Sequence, residues 1–199
     1  MMERVLMSVY DKTGLEEMIS VLKDIGVEII ASSGTAAKIK EIGYGKVREV
    51  SEYTGHAESP DGLLKTLHPK IHGGLLLDWD DLAHRAYMER HGILPFDLVI
   101  INLYPFERTI AREASFQEAA ENIDIGGPAI IRAAAKGAIL YDKLAVIVDP
   151  SQYGLVIGAL RDVGWPLPRD LRRRLAREAF SRTSRYDEAI CRYLETVGK

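Results

Sequence analysis

A chain of 199 residues, 47% hydrophobic and 28% charged, makes one domain of generous size with enough apolar side chains for a real core. With 26 basic against 29 acidic residues the formal charge is −3, so no basic field points to nucleic acid. Cys191, the single cysteine, excludes an internal disulfide framework and a thiolate zinc site, and no window approaches the ~18 uninterrupted apolar residues of a membrane span. The first residues show no long apolar signal region, so the expected setting is cytoplasmic.

The chain opens with a strand over residues 4–9, mostly apolar, as in a strand buried on both faces. Leu15, Met18, Ile19, Leu22 and Ile25 then recur at helical spacing up to Gly26. A strand over 27–31, a loop at Ser32-Ser33-Gly34-Thr35, a helix over 36–42 and a strand over 46–50 follow. This β-α-β-α-β order predicts an α/β protein with a parallel sheet, its ligand beyond the carboxyl ends of the strands. Residues 51–60 read as polar loop. Residues 61–74, with Lys65, Thr66, His68 and His72 among glycines and Pro69, read as neither a clean helix nor a clean strand. The glycines there suit close approach of backbone to a ligand. A short strand over 75–78, a charged helix over 80–91 and a buried strand over 96–103 come next. Helices over 115–122 and 129–136, a strand over 144–148 and a helix over 151–163 complete the body, and one or two further helices follow from Arg169.

Several of these segments carry groups suited to a small anionic ligand. Hydroxyls and a helix start at Ser32, Ser33, Gly34 and Thr35 suit a phosphate, although an ordinary serine cap explains the same residues. Lys12, in the 8–12 segment with Ser8, Tyr10 and Asp11, adds a cation at that edge. Asp124, before Ile125, Gly126, Gly127 and Pro128, either holds a proton or caps the next helix. Lys136 either complements that helix's dipole or points into a cleft. Tyr104 follows a buried strand, where it serves chemistry or anchors the Pro105 turn. His68 and His72 are four apart, but Pro69 argues against a helix presenting both to zinc, so no metal is expected.

Taken in order, Ser8-Val9-Tyr10-Asp11-Lys12-Thr13-Gly14, Lys65-Thr66-Leu67-His68-Pro69, Asn102-Leu103-Tyr104-Pro105-Phe106, Asp124-Ile125-Gly126-Gly127 and Arg132-Ala133-Ala134-Ala135-Lys136 resemble one family along the whole chain. It is the IMP cyclohydrolase domain of the bifunctional purine biosynthesis proteins, which join that activity to AICAR transformylase. The resemblance implies a three-layer α/β/α, methylglyoxal-synthase-like core over residues 1–150 and a helical extension over 151–199 packed on it. It implies cofactor-independent closure of FAICAR to IMP with loss of water. Lys65, Tyr104, Asp124 and Lys136 are the implied catalytic set. The implied nucleotide ligands are Ser8, Tyr10, Asp11, Lys12, Ser32, Ser33, Gly34, Thr35, Thr66, Asn102, Ile125, Gly126 and Gly127. A homodimer and a separate AICAR transformylase are the implied partners. The chain departs from the family pattern with Tyr10 for a serine, Ser32-Ser33 for Thr-Gly, Leu63 for an arginine and Gly137 for an asparagine. A non-catalytic purine-nucleotide sensor of the same fold is the competing expectation.

Overall fold

The structure, a computed structural model, describes residues 1–57, 59, 64, 66–112 and 114–197. Five parallel strands form one sheet: β1 (Arg4–Val9), β2 (Glu28–Ala31), β3 (Val47–Glu49), β4 (Leu98–Asn102) and β5 (Ala145–Ile147), in the order β3-β2-β1-β4-β5. The order runs outward from β1 to β3 on one side and through β4 to β5 on the other. The switch point therefore lies between β1 and β4, where open α/β sheets leave a crevice for ligands.

Both faces of the sheet are buried, which is why the strands read as nearly continuous apolar runs. Val5, Met7 and Val9 join one core with Ile29, Leu98 and Ile147, while Leu6 joins the other with Ile30, Val99 and Val146. The first face is covered by α1 (Leu15–Ile25), α2 (Ser33–Glu41) and α9 (Tyr153–Asp162), whose apolar residues enter that core. Over the other face lie α3 (Val50–Thr54), α4 (Pro69–Leu76) and α8 (Gly126–Leu140). Peripheral helices are α5 (Leu82–His91), α6 (Phe106–Ile110) and α7 (Phe116–Glu121). The tail is one helix, α10 (Arg169–Val197), packed along α8 and over β5.

Three local expectations fail for identifiable reasons. Residues 51–54 are helical rather than loop, because Glu49 and Glu52 form a capping box that outweighs the polar composition. Pro69 starts α4 instead of opposing a helix: at the first helical position its missing N–H has no partner to lose, and His68 supplies the cap. The same helix absorbs residues 75–76, where the sequence predicts the start of a short strand. Its glycines serve packing, not a ligand. A Cβ on Gly74 would meet the Leu94 carbonyl and lie 2.7 Å from the Phe96 ring. Across the α4–α8 crossing, one on Gly137 would meet the Leu75 carbonyl. Helix α2 starts three residues earlier than its apolar pattern suggests, and α8 starts at its two glycines.

Candidate functional site

A cavity of about 590 Å³ opens at the carboxyl ends of β1, β2 and β4, at the switch point. That volume suits a small-molecule ligand. Four segments wall it.

The first wall is a ladder of hydroxyls. Ser8 Oγ donates to Ser32 Oγ at 3.0 Å, and Ser32 Oγ to Thr35 Oγ1 at 3.1 Å. Thr35 Oγ1 accepts the Val9 amide at 3.1 Å, which binds the end of β1 to the start of α2. Ser32, Gly34 and Thr35 line the cavity, so the first turn of α2 opens into it. A helix start carries amides with no intrahelical acceptor and the positive end of the dipole, a setting that suits phosphate. Ser33 begins α2 but is not part of the cavity wall. Lys12 lines the cavity at the same edge, its ammonium 3.4 Å from the Val9 carbonyl.

Asn102, at the end of β4, forms the second wall as a bracket. Its Oδ1 accepts the amides of Tyr10 at 2.7 Å and Asp11 at 2.9 Å, and its Nδ2 donates to the Asp11 carbonyl at 2.9 Å. Asp11 itself is not on the wall; hydrogen bonds from Thr13 hold its carboxyl below the usual carboxylate range. Tyr10 is brought edge to face with Tyr104 by this bracket, and both rings line the cavity.

The third wall is the turn into α8. Gly127 N donates to Asp124 Oδ1 at 2.8 Å, so Asp124 caps the helix while its half-buried carboxylate lines the cavity. Capping and a place in the site, set against each other as alternatives in the sequence, coexist. A Cβ on Gly126 would lie 2.5 Å from Thr66 Oγ1, and one on Gly127 would meet the Asp124 carboxylate. Only glycine lets this backbone close on its neighbours. Ile125 is 61% exposed and contributes an apolar rim.

The fourth wall is Leu64, Thr66 and Leu67, with Thr66 buried against Gly126. Lys65 and Leu63 lie outside the described residues. His68, next along, accepts the Lys70 amide at Nδ1, 3.1 Å away. Among the described residues no group of three or more His, Cys, Asp or Glu side chains is placed to hold a metal, and no helix is long and apolar enough to cross a membrane.

Lys136 is not part of this constellation. It is exposed on the outer side of α8, in a separate groove with Arg132, Leu140 and Phe180. Ten helical positions separate it from Gly126, about 15 Å along the axis. Nor does it sit at the helix end, since α8 continues to Leu140.

Three contributors carried no usable signal in the sequence. Glu121 and Asn122, at the end of α7, line the cavity but look like any charged helix terminus. Tyr186, on α10, accepts the Asp124 amide at 2.8 Å across 62 residues of chain, a contact that no local pattern marks.

Comparison with known proteins finds relatives along the whole chain. The MGS-like domain family matches residues 14–129, and the AICARFT/IMPCHase bienzyme family matches residues 134–199. The bifunctional purine biosynthesis protein PurH of Rhodospirillum rubrum is 47% identical over 192 residues, 96% of this chain and 36% of the relative. Its counterpart in Bradyrhizobium diazoefficiens is 49% identical over 187 residues, 94% of this chain and 34% of that protein. The chain thus spans about a third of the length of the curated relatives it matches. The crystal structure of ForH superposes with a TM-score of 0.79 at 28% identity, covering 96% of this chain and 98% of ForH.

Proposed function

The chain belongs to the MGS-like domain family and matches the IMP cyclohydrolase portion of the AICARFT/IMPCHase bienzyme, and from that premise we propose that it closes FAICAR to IMP with release of water. One observation carries the proposal: a single cavity gathers Thr66, Asn102, Tyr104 and Asp124 from three separated motifs, facing a hydroxyl-lined helix start.

In this reaction the carboxamide nitrogen of FAICAR attacks the carbon of its own formamido group. A C–N bond forms, the carboxamide nitrogen loses one proton and the formamido nitrogen another, and the former carbonyl oxygen leaves with both as water while the formamido nitrogen becomes doubly bonded to the ring carbon. Because the attack is intramolecular, holding the two groups in register supplies much of the rate. In our assignment Ser32, Gly34, Thr35 and Lys12, with Ser33 at the start of α2, take the 5′-phosphate, and Ser8, Tyr10, Thr66 and Asn102 shape the nucleotide's path, with Asp11 behind the wall tying the Tyr10 segment to Asn102. Asp124 holds the carboxamide. The first amide of α8, at Gly126 between Ile125 and Gly127, together with Lys65, stabilises the formyl oxygen as negative charge develops. Tyr104 relays a proton to the departing hydroxyl.

Lys136 cannot join from its own chain, so its catalytic role requires a second copy, and the proposed assembly is a homodimer that brings it in. Residues 1–150 form the proposed catalytic core and 151–199 the extension that braces it. An AICAR transformylase is the proposed supplier of FAICAR, in the cytoplasm.

The test is ultraviolet-monitored conversion of FAICAR to IMP by the purified chain, with Lys65→Ala as control. Turnover that the variant loses supports the assignment. Saturable IMP binding without turnover would replace it with a non-catalytic nucleotide-binding domain.

A further inference from the structure

Tyr186 projects from α10 into the heart of the molecule and is only 2% exposed. Its hydroxyl accepts the backbone amide of Asp124 at 2.8 Å. Its ring meets Phe106 edge to face, with centroids 6.3 Å apart and planes at 69°. Phe106 starts α6 directly after Tyr104 and Pro105. One side chain therefore touches both the segment that carries Tyr104 and the turn that carries Asp124.

We infer that Tyr186 is a positioning residue for the site, with its hydroxyl setting the place of Asp124 and making the C-terminal helix a working part of the cavity. This rests on the cyclohydrolase reading for its consequence, not for its geometry.

Two hydrogen bonds anchor Asp124 at the head of the turn at 124–127. Asp124 Oδ1 is engaged by Gly127 N, which fixes the side chain relative to α8. The Asp124 amide, which fixes the main chain ahead of the helix, is held from outside by Tyr186. Together the two bonds fix the carboxylate at both its backbone and its side chain. A part-buried amide deprived of its acceptor moves to find water or another oxygen, and small displacements of a substrate-orienting group cost rate steeply. The ring performs a separate task. With Tyr193, which meets Phe106 at 5.7 Å and 79°, it packs α10 against α6. Packing and positioning therefore lie on different atoms and can be separated by substitution.

Tyr186→Phe keeps the ring and deletes the hydroxyl, whereas Tyr193→Leu loosens the same helix without touching the Asp124 turn. Positioning predicts that Tyr186→Phe lowers kcat for FAICAR about tenfold, the equivalent of one lost hydrogen bond, with KM within about twofold. It also predicts at least tenfold faster hydrogen exchange at the Asp124 amide in the unliganded chain. Tyr193→Leu should lower the melting temperature while leaving kcat per folded molecule and Asp124 exchange unchanged. Wild-type exchange and kcat in Tyr186→Phe would overturn the inference, as would an equal loss of kcat in Tyr193→Leu. The exchange measurement needs no substrate, so a wild-type chain inert toward FAICAR would count against the cyclohydrolase reading and leave the positioning role to be decided by the amide.

Discussion

Tyr10 and Tyr104 meet edge to face across the mouth of the cavity, ring centroids 4.6 Å apart and planes at 77°. Tyr10 stands where the family pattern has a serine, and its backbone is held by Asn102. The exposed ring therefore acts as a buttress for Tyr104. An aromatic pair of this kind contributes roughly 0.5–1.5 kcal/mol beyond area. Tyr10→Ser should free the Tyr104 ring and lower kcat/KM for FAICAR about three- to tenfold, with Tyr10→Phe close to wild type. Steady-state kinetics of the two variants decides it; equal loss in both would mean that the hydroxyl, not the ring, matters.

Gly137 follows from backbone packing and not from chemistry. A side chain there would run into the Leu75 carbonyl of α4, so the asparagine of the family pattern does not fit between these helices as they cross. Gly137→Asn should destabilise the protein by about 3 kcal/mol, at the upper end of overpacking costs. Denaturant unfolding measures it, and a neutral or stabilising result would show that α4 and α8 can part at little cost.

His68 links pH to the wall that carries Thr66. Burial, then the nearby His56 and Lys70 charges, push its pKa below the ordinary histidine value. Its Nδ1 must be unprotonated to accept the Lys70 amide. The folded state thus binds this proton less readily than the unfolded chain. The resulting stability is whole above about pH 6.5 and is lost as pH falls through the folded value below it. His68→Asn keeps a capping oxygen and removes the titration. Its melting temperature should therefore fall less than that of the wild type between pH 7.5 and pH 5, and parallel declines would rule the switch out.

Lys136 lies in a groove of its own, so a catalytic role for it makes a prediction about assembly. Lys136→Ala and Asp124→Ala should each be inactive alone. Mixed under conditions that exchange subunits, they should regain up to about a quarter of wild-type activity, the share expected when one intact site forms per mixed dimer. No recovery after demonstrated exchange would remove Lys136 from the site.

Much of the site was legible in sequence because its parts are local. Thr35, Asp124 and the Gly126-Gly127 pair each announce themselves beside a strand end or a helix start, whereas Asn102 entered only through the family resemblance. Lys136 closes a conspicuous motif, yet α8 carries it about three turns from the turn it follows, a distance the motif alone does not reveal. Glu121 and Tyr186 were hidden because their place depends on which distant segments pack together.

The sequence by itself determined the parallel α/β order, the two-sided burial of its strands and the glycines at which the chain must close on itself. These follow from periodicity and from the steric latitude of single residues. Only the tertiary structure decided that β1 and β4 sit side by side to open the crevice and that α10 returns to hold Asp124. Each is a contact between residues far apart in the chain, set by how buried faces fit rather than by any residue's own preference.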